Sequence, residues 1–164
     1  VFPWERTDLE PDPLLDVARY HNKRDIPTGC PATSLPFVKA VRDADKIDIL
    51  EVIQRHVIEG RVDEIFPGVD PSGPPDPALL EAILRDGRAP SEKASSLADV
   101  LVLKLTWVFD INFEPTFWHL EKSGLLDWFS DNLPDDEPVR EIVYRTRAYV
   151  RDRLPGSGTL PATP

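Results

Sequence analysis

The stretch VRDADKIDI, residues 41–49, sets two carboxylates three residues apart, Asp45 and Asp48, among apolar neighbours. On a helix that spacing puts both on one face. Placing residues 37–58 at about 100° per residue gathers Phe37, Ala40, Val41, Ala44, Ile47, Val52 and Ile58 into one broad arc. Asp48 falls near the middle of this arc and Asp45 at its edge, while Asp43, Lys39 and Lys46 point to the opposite, solvent side. Burying an unpaired carboxylate costs several kcal/mol, so such a position needs a cation, a set of hydrogen-bond donors or a metal. Two readings follow: a structural carboxylate paired with an arginine or capping a helix, or a metal or acid–base site. His21, in RYHN, lies on the apolar side of the preceding segment with Leu14, Val17 and Ala18. It reads either as a satisfied core histidine or as a nitrogen ligand that a short loop brings to Asp45.

The elements that must position these residues are helices. PDPLLDVARYHN (11–22) has Asp12 as its cap and Pro13 in its first turn, and Pro27 and Gly29 end it. Residues 34–60 open with Ser34 as cap and run without a breaker to Gly60, the longest uninterrupted helix. Residues 61–77 are rich in proline and glycine and read as a loop; 76–87 form a short amphipathic helix stopped by Gly87. SLADVLVLKLTWVFDINF (96–113) is apolar nearly all round, which predicts a helix at the centre of the fold. Short helices over 114–124 and 125–134 carry Trp118, Trp128 and Phe129, and a last helix spans 135–154 with Val139, Ile142, Val143, Thr146 and Val150 on one stripe. No segment alternates with period two, so the class is all-α. Residues 1–154 make one helical domain with a leading segment 1–10, and 155–164 form a disordered tail.

Composition narrows the partners. Lys plus Arg number 19 against 29 Asp plus Glu, a net charge of −10, which repels phosphate backbones and anionic lipid. This argues against nucleic acid as a polymer and against a membrane surface, but leaves small phosphorylated substrates open, because local cations or a metal can invert the field in one pocket. One cysteine, Cys30, and no apolar run near membrane-span length predict a cytoplasmic protein. The sequence contains no methionine, so a piece of a longer protein is expected. Such a piece would expose apolar surface, and a homodimer or aggregation is expected with it.

RYHN, followed after a proline-containing loop by VRDADKIDI, resembles the HD-domain metal-dependent phosphohydrolases. LKLTWVFDINFEPTF and LPDDEPVREIVYRTRAYV extend the similarity over most of residues 14–154. The resemblance implies an HD-like helical bundle incomplete at its N-terminus. It also implies a divalent metal (Mn, Mg, Fe, Zn or Co) that activates water against a small phosphate ester or nucleotide. Residue by residue, it makes Asp45 a metal ligand and His21 a residue facing a metal or the substrate phosphate, so that both enter the catalytic site. Asp48 and Asn22 would orient ligands or water around them. The family's His-Asp doublet is absent: His56 is followed by Val57 and His119 by Leu120. The chain alone is therefore expected to bind metal weakly and to be inactive. The alternative is a non-catalytic helical interaction or regulatory module that keeps the fold.

His56, about 16 Å along the helix from Asp45, cannot share its metal and is expected at the surface. His119 is expected in packing, and Asp110 at the end of the buried helix, where such side chains satisfy orphan backbone groups. Trp107, Trp118, Trp128 and Phe129 are expected in the core, an exposed cluster being the mark of a partner surface.

Overall fold

The computed structural model describes residues 13–154, and eight α-helices stand in this span. They are α1 (Pro13–Tyr20), α2 (Leu35–Ile58), α3 (Val62–Ile65), α4 (Pro77–Asp86), α5 (Leu97–Leu105), α6 (Glu114–Ser123), α7 (Leu125–Asp131) and α8 (Glu137–Arg151). Two 3-10 turns, Ser91–Lys93 and Thr106–Asp110, flank α5 on either side. Among the described residues there is no strand, only a single parallel bridge between Asp70 and Ser96, so the chain is all-α. No helix among them is long and apolar enough to cross a membrane. Asp12, the segment 1–10 and the tail 155–164 lie outside the described residues.

The chain divides into two compact units, Val1–Asp45 and Lys46–Pro164, and α2 begins in the first and ends in the second. In the first unit α1 does not bury the residues its hydropathy suggests. Leu14 is 70 % and Leu15 44 % exposed, whereas Asp16 is 4 % exposed. The reason is a partner: Ser34 Oγ donates to Asp16 Oδ2 at 2.6 Å. Ser34 was expected to cap α2 with its side chain; its hydroxyl is instead committed to this carboxylate, and its backbone carbonyl accepts from Val38 N–H at 3.0 Å.

In the second unit α5 is the centre, as its all-round apolarity predicts. Leu101 and Leu105 enter a cluster with Leu50, Ile53, Phe117, Leu120 and Phe129. Val102 and Leu103, on another side, join Leu79, Leu80, Ile83, Val139 and Ile142 from α4 and α8. The stripe on α8 is buried where expected, at Val139, Ile142, Thr146 and Val150. The helical text of 96–113 is shorter than its pattern suggests, because the backbone tightens to 3-10 geometry at Thr106, whose Oγ1 donates to Leu103 O at 2.7 Å.

The proline-rich connection before α4 is pinned through one carboxylate. Asp99 is fully buried and closes a capping box with Ser96 at the start of α5. Its Oδ2 accepts from the N–H groups of Ser95 at 2.9 Å and Ser96 at 3.0 Å, and its Oδ1 from Asp76 N–H at 2.7 Å. Asp76 in turn caps α4, accepting from Ala78 N–H. The loop closes tightly enough that a Cβ on Gly73 would stand 3.0 Å from both Asp70 Oδ2 and Ser96 Cβ. Burial pushes the Asp99 carboxyl up, but the backbone donors from Asp76, Ser95 and Ser96 outweigh it and hold the group below its ordinary value.

Asp99→Ala leaves three backbone donors without their acceptor and should cost about 2–4 kcal/mol in urea unfolding. Because the folded carboxyl is lowered, its contribution is complete above the ordinary value of about 3.9 and is lost as pH falls through the lower folded value. Wild type and variant should therefore converge in stability only in strong acid, and equal midpoints at pH 7 would refute the pinning role.

Candidate functional site

The environments of Asp45 and Asp48 depend on how α2 is turned, and its buried side is not the arc that the apolar spacing of residues 37–58 gathers. Arg42 is 4 %, Asp43 2 % and Lys46 8 % exposed, in line with the buried Val38, Leu50 and Ile53. Phe37 at 53 % and Val41 at 39 % face outward, as do Ala40, Ala44 and Asp48, and Ile58 beyond them. The expected arc is kept only in part: Ile47 and Val52 are half-buried, Ile47 against the core, but Asp48 is exposed rather than central, and Asp43 and Lys46 are buried rather than solvated. Lys39 is half-buried. The buried line runs 38, 42, 46, 50, 53, a regular helical period whose second and third members are cations. Apolar residues occur all round α2, so hydropathy alone has no side to choose.

What chooses the side is the fit of each charge. The Arg42 guanidinium reaches the end of α1, donating through Nη1 to the carbonyls of Tyr20 at 3.4 Å, His21 at 3.3 Å and Lys23, and through Nη2 to Arg24 O at 3.2 Å. Tyr20 is the last residue of α1 and the other three follow it, so the cation meets the negative end of the helix dipole. Lys46 meets Asp110 Oδ2 at 2.9 Å. Asp110 closes the second 3-10 turn, the helix-terminating place expected for it.

His21 follows the last residue of α1 and is half-buried. Its Nδ1 donates to Val17 O at 3.0 Å, which leaves Nε2 as the nitrogen with a free lone pair, the tautomer in which a histidine ligates a metal. His56 makes the same bond to Val52 O at 2.8 Å, so this geometry belongs to a histidine one turn beyond a helical carbonyl rather than to a ligand as such. Asp45 is half-buried on α2, and no described side chain bonds or pairs with its carboxylate. Asn22 is exposed in the turn after α1.

His56, on α2, is half-buried rather than at the surface, with Nε2 4.0 Å from Glu64 Oε2. His119, expected in packing, is exposed on α6 with Nε2 3.1 Å from Glu51 Oε1. Phe129 is core, Trp107 and Trp128 are half-buried, and Trp118 is 38 % exposed. Among the described residues no three His, Cys, Asp or Glu side chains converge as a metal group requires. The described ligating residues therefore do not by themselves fit a metal, and no catalytic step is derived through one. Among known proteins, no family model, curated protein or solved structure matches the chain.

Sequence reasoning missed Arg42 and Asp16, whose roles depend on partners 18 or more residues away. One signal was present: Arg42 and Lys46 continue the four-residue step from Val38 to Leu50. Arg42→Met keeps the stem and removes the donors, and should cost about 2–3 kcal/mol. Amide exchange over residues 20–25 should rise with it, and unchanged exchange there would contradict the grip on α1.

Proposed function

We propose that this chain supplies the later helices of an HD-type metal-dependent phosphohydrolase acting on a small phosphate ester or nucleotide. Asp45 and His21 are two of its metal ligands, and Asp48 and Asn22 stand around them. The carrying observation is the environment of Asp45: a half-buried carboxylate on α2 that no described side chain engages. Its neighbour Lys46 is already occupied by Asp110. The polar residues buried beside it have structural partners, as Arg42 does; Asp45 does not, which favours a ligand from outside this set. Two ligands are too few to hold a metal firmly, so the chain alone is catalytically silent and its divalent metal, Mn, Mg, Fe, Zn or Co, binds weakly.

A second reading, a non-catalytic helical interaction or regulatory module, is favoured by the absence of a three-residue ligand group among the described residues. The exposed Leu14, Leu15, Phe37 and Val41 support self-association in either case. A cytoplasmic setting, with Cys30 reduced, belongs to the same proposal, as do the small phosphorylated substrate and the exclusion of polymeric nucleic acid and membrane.

Mn²⁺ titration of the intact chain followed by electron paramagnetic resonance separates the readings. The phosphohydrolase reading predicts weak binding that falls at least fivefold in both Asp45→Asn and His21→Ala, with p-nitrophenyl phosphate turnover at the level of the blank. Binding untouched by both substitutions would favour the module. Stoichiometric tight binding or turnover well above blank would overturn the inactivity of the chain.

A further inference from the structure

The first turns of α2 carry an apolar seam on their outer side. Phe37, Ala40, Val41 and Ala44 are all exposed and follow one another at three- and four-residue steps, so they form a single stripe along the helix. The stripe holds no charge, in a chain whose net charge is −10. Beyond Ala44 the same side turns polar, with Asp48, Glu51 and Arg55 exposed at the same steps. The seam is therefore a bounded patch and not a helix that is apolar outward along its whole length.

The order of its side chains says what fits it, because large and small alternate: Phe37, Ala40, Val41, Ala44. Against a second copy of the same helix, antiparallel about a two-fold axis between residues 40 and 41, Phe37 faces Ala44 of the other copy and Val41 faces its Ala40. A large side chain then meets a small one at each step, which is the self-complementarity a two-fold contact needs. A parallel pairing would set Phe37 on Phe37 and Ala44 on Ala44, crowding one end and leaving a gap at the other. Charge favours the antiparallel arrangement too. It carries Asp48 to the start of the second copy's α2, whose first turn has no acidic residue of its own, so a carboxylate meets the positive end of that helix dipole.

We propose that this chain forms a weak two-fold dimer through the first turns of α2, the two helices antiparallel, with Phe37 of each copy seated on Ala44 of the other. The dimer goes beyond the activity of the chain and holds under either reading of it. So short a seam falls below the roughly 800 Å² per partner of a standard interface. Its dissociation constant is accordingly on the order of 10–100 µM.

Sedimentation equilibrium of the intact chain from about 5 to 500 µM tests the association. EDTA in the buffer keeps metal from bridging two copies, so the result stands apart from that of the metal titration. The expected result is a monomer–dimer equilibrium that Ala44→Glu weakens at least tenfold, with a thermal midpoint close to wild type because Ala44 is exposed. Oxidative cross-linking in a Cys30→Ser background reads the geometry. Position 40 lies beside its own counterpart at the axis, whereas position 37 lies about 10 Å along the helix from its counterpart, beyond the span of a disulfide. Ala40→Cys should therefore cross-link to itself, Phe37→Cys alone should not, and a mixture of Phe37→Cys with Ala44→Cys should give the mixed dimer. A chain monomeric over the whole range would overturn the proposal and leave the seam to another part of this chain or to another protein. A dimer indifferent to Ala44→Glu, or Phe37→Cys cross-linked to itself, would overturn it equally.

Discussion

A charge that enters a folded interior must find its counterpart there, and on α2, whose apolar residues lie all round, this constraint decides the side. Turning Phe37, Val41 and Ala44 inward would bury those side chains, yet it would expose Val38, Leu50 and Ile53, carry Arg42 and Lys46 into water and leave their partners unmet. The end of α1 would then lose the guanidinium that gathers the carbonyls of Tyr20, His21, Lys23 and Arg24. Asp110 would lose Lys46. Exposing a few apolar side chains costs about 1.5–3 kcal/mol each at full exposure, less when half-covered. Losing a hydrogen bond made by a charged group costs a comparable amount, about 1.5–3 kcal/mol. With sums so close, the side that satisfies polar groups is the one adopted.

The same rule operates in the second unit with the sign reversed. Asp99 is fully buried without a cation and stands on backbone N–H groups from Asp76, Ser95 and Ser96. One carboxylate thereby ends a proline-rich connection, starts α5 and orients the cap of α4. Asp16 follows the pattern on a smaller scale, with Ser34 Oγ as its close donor and Arg19 at 3.8 Å. Buried Asp99 and Asp16 are thus structural carboxylates.

Where local signals agree with one another, the chain is legible from its sequence. Asp76 before Pro77 and Gly87 after Asp86 bracket α4 where the capping and left-handed geometry place its ends. The all-round apolarity of α5 announces a helix serving two clusters, and α8 shows its buried stripe in its spacing. The side of α2 was not legible in this way, since its apolar residues encircle it and the deciding partners, Tyr20 to Arg24 and Asp110, lie on other elements. Burial of Asp16 in place of Leu14 and Leu15 is hidden for the same reason, because Ser34 is 18 positions away. For the candidate site, residue types were readable at His21 and Asp45. The surroundings of Asp48, which is exposed, followed the wrong side of α2.

The orientation of α2 decides which carboxylates a ligand could reach, so it is the point on which the whole account stands. Single cysteines introduced by Val38→Cys, Ala44→Cys and Asp48→Cys in a Cys30→Ser background report it through their rates of reaction with a thiol-specific reagent under native conditions. Prompt labelling at 44 and 48, with position 38 protected until the chain unfolds, is the predicted result. Protection at 44 and 48 with prompt labelling at 38 would contradict this orientation and restore the arc expected from the spacing of residues 37–58.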